Sequence, residues 1–563
     1  MVMAKNRKIC KMKKVAQLGL AFLSVILLFL VFYKSRLDAS LSEDETGCIF
    51  EKKETTNEET EASLMQNNWK NLAYNESPEK EKAKSAFSGH RIVHLDLKGA
   101  PPKVSYYKEF FPFIKTLGAT GVLMEYEDMF PYSIDVSAHN AYTAGDIKEI
   151  LRYANESSLE VIPLIQTFGH LEFVLKLDKF KHLREVFKYP QAICPSNNET
   201  HGVLLSMIDD IVQAHEGLRY LHIGCDEVFQ LGECRSCREK IIFNEKWNKN
   251  KLFLDHLSTV ARYVKERYPG VTPLIWDDNL RTLTVSELDE WRLGKLIEPV
   301  VWKYTADVEM ELSPQMWSTY SVVFPAIWIA SSFKGARNPD AVTNQINFYY
   351  ENHKSWMKLV AKYSDKITFR GVITTGWQRF DHFSVLCELL PVSIPSLAVN
   401  LLYLSTELQN LIDISIEAQG ACKCDFNLVQ ASHTDNHEGH CSFPGSKVFD
   451  AVNKLPHLLY ALQRVKDKSS YRGWFSPYNL KHSFSSPVYV EAATNNLLVL
   501  EAKLINLENE IREAMSSVYD KSTADEWIAT NIEPTKEELR KDIEGRVNIL
   551  MVQTWPKRPL PDK

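Results

Sequence analysis

Two neighbouring carboxylates, Asp226 and Glu227, are the residues of this chain best suited to acid–base chemistry. They close the stretch L-H-I-G-C-D-E-V-F (221–229), whose apolar start reads as a short buried strand and whose Gly224 lets another group come close to the backbone. At the C-terminal end of a parallel strand, such a pair stands where barrel enzymes keep their catalytic groups. Side chains alternate along a strand, so both can serve one site only if the strand is already breaking into its loop there. A solvated acidic turn is the plainer alternative.

The elements that would hold the pair follow from periodicity. From His90 onward, short apolar strands are predicted at 91–97, 121–126, 160–166, 220–225, 273–276, 299–302, 322–330 and 371–375. Amphipathic helices alternate with them, among them 104–117, 144–156, 201–215, 252–268 and 343–363. Parallel neighbours need such crossovers, so the count points to an α/β fold, a (β/α)8 TIM barrel over 89–395. A doubly wound sheet would usually carry a glycine-rich turn after its first strand, and none is present. Polar and aromatic residues gather at the ends of the strands: Asp96, Lys98, Glu125, Gln166, His170, Trp276, Asp278, Trp302, Tyr304, Trp328, Trp377 and Arg379. One tryptophan there is ordinary core; several at matching ends suggest a shared site.

The flanks of the barrel differ in kind. Residues 1–14 form a basic tail, and 15–33 are an uncharged apolar run about long enough to cross a bilayer as a helix. The basic flank assigns the tail to the cytosol and the rest of the chain to the lumen, with the lipid bilayer as partner. A cleaved signal peptide is the competing reading. Residues 34–88 are rich in Glu, Lys, Asn and Thr and read as a flexible stem. Asn75, Asn155 and Asn198 open glycosylation sequons, which agree with a lumenal domain. Beyond the barrel, 396–563 is predicted to be mainly helical, with apolar positions that suit packing on the barrel or a homodimer surface.

Composition excludes little beyond this. The net charge of -6 gives no electrostatic basis for binding nucleic acid. Cys234 and Cys237 form a lone C-x-x-C, and Cys422, Cys424, His433, His437, His440 and Cys441 crowd one loop. Neither spacing fits a zinc template well, so disulfides are expected in preference to metal, and no cofactor is expected.

Five runs, in order, resemble glycoside hydrolase family 20, the β-N-acetylhexosaminidases, and within it the hexosaminidase D branch. They are H-L-D-L-K-G-A-P-P-K (94–103), E-Y-E-D-M-F-P-Y (125–132), Q-T-F-G-H-L-E-F (166–173), H-I-G-C-D-E-V (222–228) and T-G-W-Q-R (375–379). The resemblance implies a retaining reaction in which the substrate's own 2-acetamido oxygen attacks the anomeric carbon. Glu227 would then be the acid and later the base. Asp226 would hold the acetamido N–H and stay ionised beside an oxazolinium intermediate. Trp276, Trp302 and Trp377 match the family's aromatic box, Tyr304 would bond the acetamido oxygen, Arg91 would bind sugar hydroxyls and His170 would support the acid. Arg379 stands where many members have a glutamate that binds hydroxyls, Gln166 replaces an aspartate, and Cys225 replaces a glycine.

The implied substrate is a glycan ending in β-linked N-acetylgalactosamine or N-acetylglucosamine. The anchor and sequons point to the Golgi membrane, in single-pass type II orientation. A lectin-like pseudoenzyme would be expected to have lost Asp226 or Glu227, and a Golgi glycosyltransferase would favour a nucleotide-binding sheet with a D-x-D motif. The chain shows neither pattern.

Overall fold

A computed structural model describes residues 86–428 and 439–560. The run 15–33, Asn75, His433 and His437 lie outside the described residues, as does the stem apart from its last few positions. Among the described residues no helix is long and apolar enough to cross a membrane.

Among the described residues there are ten strands: β1 (His90–Asp96), β2 (Gly121–Glu125), β3 (Glu160–Leu164), β4 (Arg184–Val186), β5 (Tyr189–Ile193), β6 (Tyr220–His222), β7 (Thr272–Trp276), β8 (Glu298–Trp302), β9 (Ile327–Lys334) and β10 (Phe369–Gly376). Eight of them close a parallel barrel in the order β1-β10-β9-β8-β7-β6-β3-β2. Closure is made by β1, which pairs with β10 from His90↔Gly371 and with β2 from Ile92↔Gly121. The thinnest seam joins β3 to β6 through Leu164↔His222 alone.

Crossover helices form where local signals agree with the apolar pattern. Helix Ala144–Glu156 opens on a capping box in which the Thr143 side chain accepts from the Asp146 backbone and Asp146 accepts from that of Thr143. Its buried residues Ile147, Ile150, Tyr153 and Ala154 recur at helical spacing and face the barrel. Ser313 and Pro314 likewise start helix Pro314–Val323. That helix runs to Val323 and so takes the front of the predicted strand 322–330: β9 begins at Ile327 and runs on to Lys334. Trp328 therefore lies low in the barrel, against His90 and Tyr220, rather than at the mouth.

The interior of the barrel is a separate apolar cluster, with Ile92, Leu123, Ile162, Leu164, Leu274, Val300 and Ile373 below Trp276, Trp302 and Trp377. Between strands and helices lies the larger core, which continues without a break into the C-terminal helices. Leu504, Ile511 and Met515 of helix Pro487–Ser516 and Trp527 of helix Lys521–Asn531 belong to the same cluster as Tyr106 and Phe110. Backbone bonds reinforce the join, since Lys103 donates to the Val518 carbonyl at 2.7 Å. Cys424 and Cys441 form a disulfide in the following region, while Cys422 is a buried thiol.

A shared core has a thermodynamic consequence. Trp527→Ala should cost roughly 3–5 kcal/mol, and barrel and helical region should still unfold in one urea transition. Two separated transitions would mean independent cores.

Candidate active site

Strand β6 stops at His222, three residues short of the predicted end, because the backbone turns left-handed. Gly224, Cys225 and Glu227 have φ of 64°, 72° and 47°. For the two residues that carry a Cβ this costs roughly 1–3 kcal/mol each. The turn is held from several sides. The Glu227 amide donates to Asp278 Oδ2 at 2.9 Å, Gln191 Nε2 donates to the Glu227 carbonyl at 2.7 Å, and the Trp276 amide donates to the Gly224 carbonyl at 3.0 Å. Gly169 packs so closely that a Cβ there would lie 2.1 Å from the Asp226 carbonyl oxygen.

Both carboxylates therefore reach one cavity of about 180 Å³ at the C-terminal mouth of the barrel. Trp276, Trp302, Tyr304 and Trp377 form its aromatic wall, with Trp276 and Trp377 5.9 Å apart between ring centroids and Trp302 5.4 Å from Tyr304. Trp302 is fixed by its Nε1–H, which donates to Asp278 Oδ1 at 3.2 Å.

The pair divides by depth. Asp226 is buried, whereas the Glu227 side chain is 36% exposed and open to the cavity. His170, itself at φ 52°, bridges them, with Nε2 3.1 Å from Glu227 Oε2 and 3.5 Å from Asp226 Oδ2. Burial opposes charge on this imidazole, yet Asp226, Glu227 and Glu172 together raise its pKa to about 10. Burial pushes the Asp226 carboxyl up to about 7; His170 pulls it back and Asp278 lifts it further. Three buried polar atoms, Asp226 Oδ1, Tyr304 Oη and Trp276 Nε1, have no hydrogen-bond partner.

Under the aromatic wall, Lys98 contacts Asp96 at 3.0 Å, Glu127 at 3.4 Å and Glu125 at 3.5 Å. Burial works against the ammonium, but the carboxylates outweigh it and keep it charged. Lys98, Glu125 and Gln166 line the cavity, and Asp278 fixes both Glu227 and Trp302. These four were legible only as polar strand ends.

Two arginines expected to bind substrate fare differently. Arg91 needs correction: it starts β1 at the opposite mouth and donates to the carbonyls of Gly118 at 2.6 Å and Phe87 at 2.7 Å. A residue at the N-terminal end of a strand cannot reach a cavity at the C-terminal end. Arg379 does line the cavity, but its guanidinium is committed to Glu526 Oε2 at 2.6 Å, the Ser384 carbonyl at 2.9 Å and the Lys98 carbonyl at 3.0 Å. Asn155 and Asn198 are exposed, in a helix end and a turn. Beside the site, Glu185, Cys194, Cys234 and Cys237 bring four metal-ligating groups together.

Residues 109–324 match the family model described as glycosyl hydrolase family 20, catalytic domain. A Homo sapiens hexosaminidase D is 41% identical over 460 residues, covering 80% of this chain and 93% of the relative. A Bos taurus hexosaminidase D is 48% identical over 313 residues, covering 55% and 90%. Among solved structures, a beta-N-acetylhexosaminidase from Bacteroides fragilis aligns over 60% of this chain and 70% of its own, at 16% identity and a TM-score of 0.44, too loosely to argue from.

Proposed function

The chain belongs to glycosyl hydrolase family 20 and is a β-N-acetylhexosaminidase; from that premise we propose that it removes terminal β-linked N-acetylgalactosamine, and secondarily N-acetylglucosamine, with retained configuration. The substrate's 2-acetamido oxygen is the nucleophile. One observation carries this reading: the unpartnered Asp226 Oδ1 and Tyr304 Oη share a cavity walled by three indoles. An acetamido group offers one N–H donor, one carbonyl acceptor and one methyl, which complement an anionic oxygen, a phenol and an aromatic wall. The galacto preference rests on the motif resemblance to the hexosaminidase D branch.

In this mechanism the Glu227 carboxylic acid gives its proton to the glycosidic oxygen. The acetamido oxygen then bonds to C1 as the C1–O bond breaks, forming an oxazolinium ion and releasing the aglycone as an alcohol. Glu227, now a carboxylate, takes a proton from water. The water oxygen adds to C1 from the face the aglycone left, and the oxazolinium ring reopens to the acetamide. Asp226 accepts the acetamido N–H and offsets the positive charge, while Tyr304 donates to the acetamido oxygen. His170 orients both carboxylates. Holding the internal nucleophile against C1 removes several kcal/mol of entropic barrier, on the order of magnitude known for intramolecular reactions.

The reading extends to a single-pass type II Golgi protein, supported by the run 15–33 behind a basic tail and by the exposure of Asn155 and Asn198. Endoglycosidase treatment of the cell-derived chain should lower its apparent mass. An unchanged mass would argue against a lumenal barrel.

Glu227→Gln should lower kcat/KM on substrates with poor leaving groups by about 10²–10⁴-fold, and NMR of the first-formed sugar should show the β anomer. An α product, or full activity on a sugar lacking the 2-acetamido group, overturns the mechanism. Asp226 must be ionised to act, and its pKa is raised to about 7, so kcat/KM should decline as pH falls below about 7. Donation from the acetamido N–H favours the carboxylate in the complex, so the acidic limb of kcat should lie at lower pH. Coincident limbs in the ordinary carboxylate range would count against Asp226.

A further inference from the structure

We propose that Cys194, Cys234, Cys237 and Glu185 bind one structural zinc ion, independently of the sugar site. A tetrahedral zinc with sulfur arms of about 2.3 Å requires neighbouring sulfurs about 3.8 Å apart. Cys194 Sγ lies 3.3 Å from Cys234 Sγ and 3.8 Å from Cys237 Sγ, and Glu185 Oε2 lies 3.3 Å from Cys237 Sγ. All four ligand atoms fall within 4.8 Å of one another. Four protein ligands leave no open position, which marks a structural site rather than a catalytic one.

The surroundings orient the ligands as an outer shell does. Glu185 Oε1 accepts from the backbone amides of Glu233 at 2.7 Å and Cys234 at 3.0 Å, which leaves Oε2 to the sulfurs. The Cys237 amide donates to Cys234 Sγ at 3.2 Å, and Ser196 Oγ lies 3.1 Å from Cys237 Sγ. Glu185 and Cys237 are buried. A buried carboxylate among three thiols is costly to keep without a cation, whereas the three sulfurs and one oxygen suit zinc. Binding exchanges thiol protons for the metal, releasing up to three protons to water, and requires no oxidant or reductant.

The sequence reading expected disulfides here. A Cys194–Cys234 disulfide would draw the sulfurs to about 2.05 Å and leave the Glu185 carboxylate buried without a cation. The ion joins β4, the segment after β5 and the start of helix Arg235–Ile242. Cys234 belongs to the same loop as Glu227, whose carbonyl is held by Gln191 of β5. The metal therefore clamps the loop that presents the catalytic pair.

The test uses the full chain, extracted in detergent and purified without chelator. Elemental mass spectrometry should find about one zinc per chain in the wild type and a loss of at least tenfold in Cys194→Ser and Cys237→Ser. Cobalt(II) reconstitution of wild-type protein should give intense sulfur-to-cobalt absorption and tetrahedral d–d bands, which Cys237→Ser lacks. The cobalt readout on wild type stands even if the variants fail to fold. Wild-type protein free of metal and silent with cobalt overturns the proposal. So does a mapped Cys194–Cys234 disulfide, or zinc content unaffected by both substitutions.

Discussion

Strand alternation forbids what this site requires. Consecutive residues on a regular strand point to opposite faces, so Asp226 and Glu227 share a cavity only because the chain leaves β geometry at Gly224. The left-handed conformations of Cys225 and Glu227 are unfavourable by themselves and persist because neighbours over-determine them. Asp278, Gln191 and the close approach of Gly169 each hold one part of the turn. The thin β3–β6 seam fits the same logic, since a longer ladder would carry β6 straight through the carboxylates.

Electrostatics then separates two side chains that are adjacent in sequence. Asp226 lies deep, beside indoles and a phenol, and Glu227 opens to the cavity. His170, held positive by the carboxylates around it, keeps both within reach of one imidazole. A second charge cluster lies below, where Lys98 contacts Asp96, Glu125 and Glu127. The floor of the cavity is thus charged and polar, and its wall is aromatic.

Much of this was legible in the sequence where signals were local and repeated. The eight barrel strands and the helix Ala144–Glu156 follow from apolar period and from the alternation of strands with crossovers. The aromatic wall was legible because tryptophan at several strand ends is a pattern rather than an accident. Strand ends were misjudged at β6 and β9, since a left-handed break and a helix end both sit inside apolar runs. Arg91 was assigned to the site by motif position, although its place at the start of β1 sets it at the wrong mouth. The hairpin β4–β5 was missed because Pro190 discourages a strand reading, although an edge tolerates it. The cysteine cluster was hidden by distance: Cys194 and Glu185 reach the C-x-x-C only through that hairpin.

Arg379 gives the helical region a stake in recognition. Its guanidinium forms part of the cavity wall, yet it is held by Glu526, far along the chain in helix Lys521–Asn531. One residue of the cavity wall is therefore positioned from an appended helix, so a substitution at Glu526 would reach the cavity through Arg379 without altering any barrel residue.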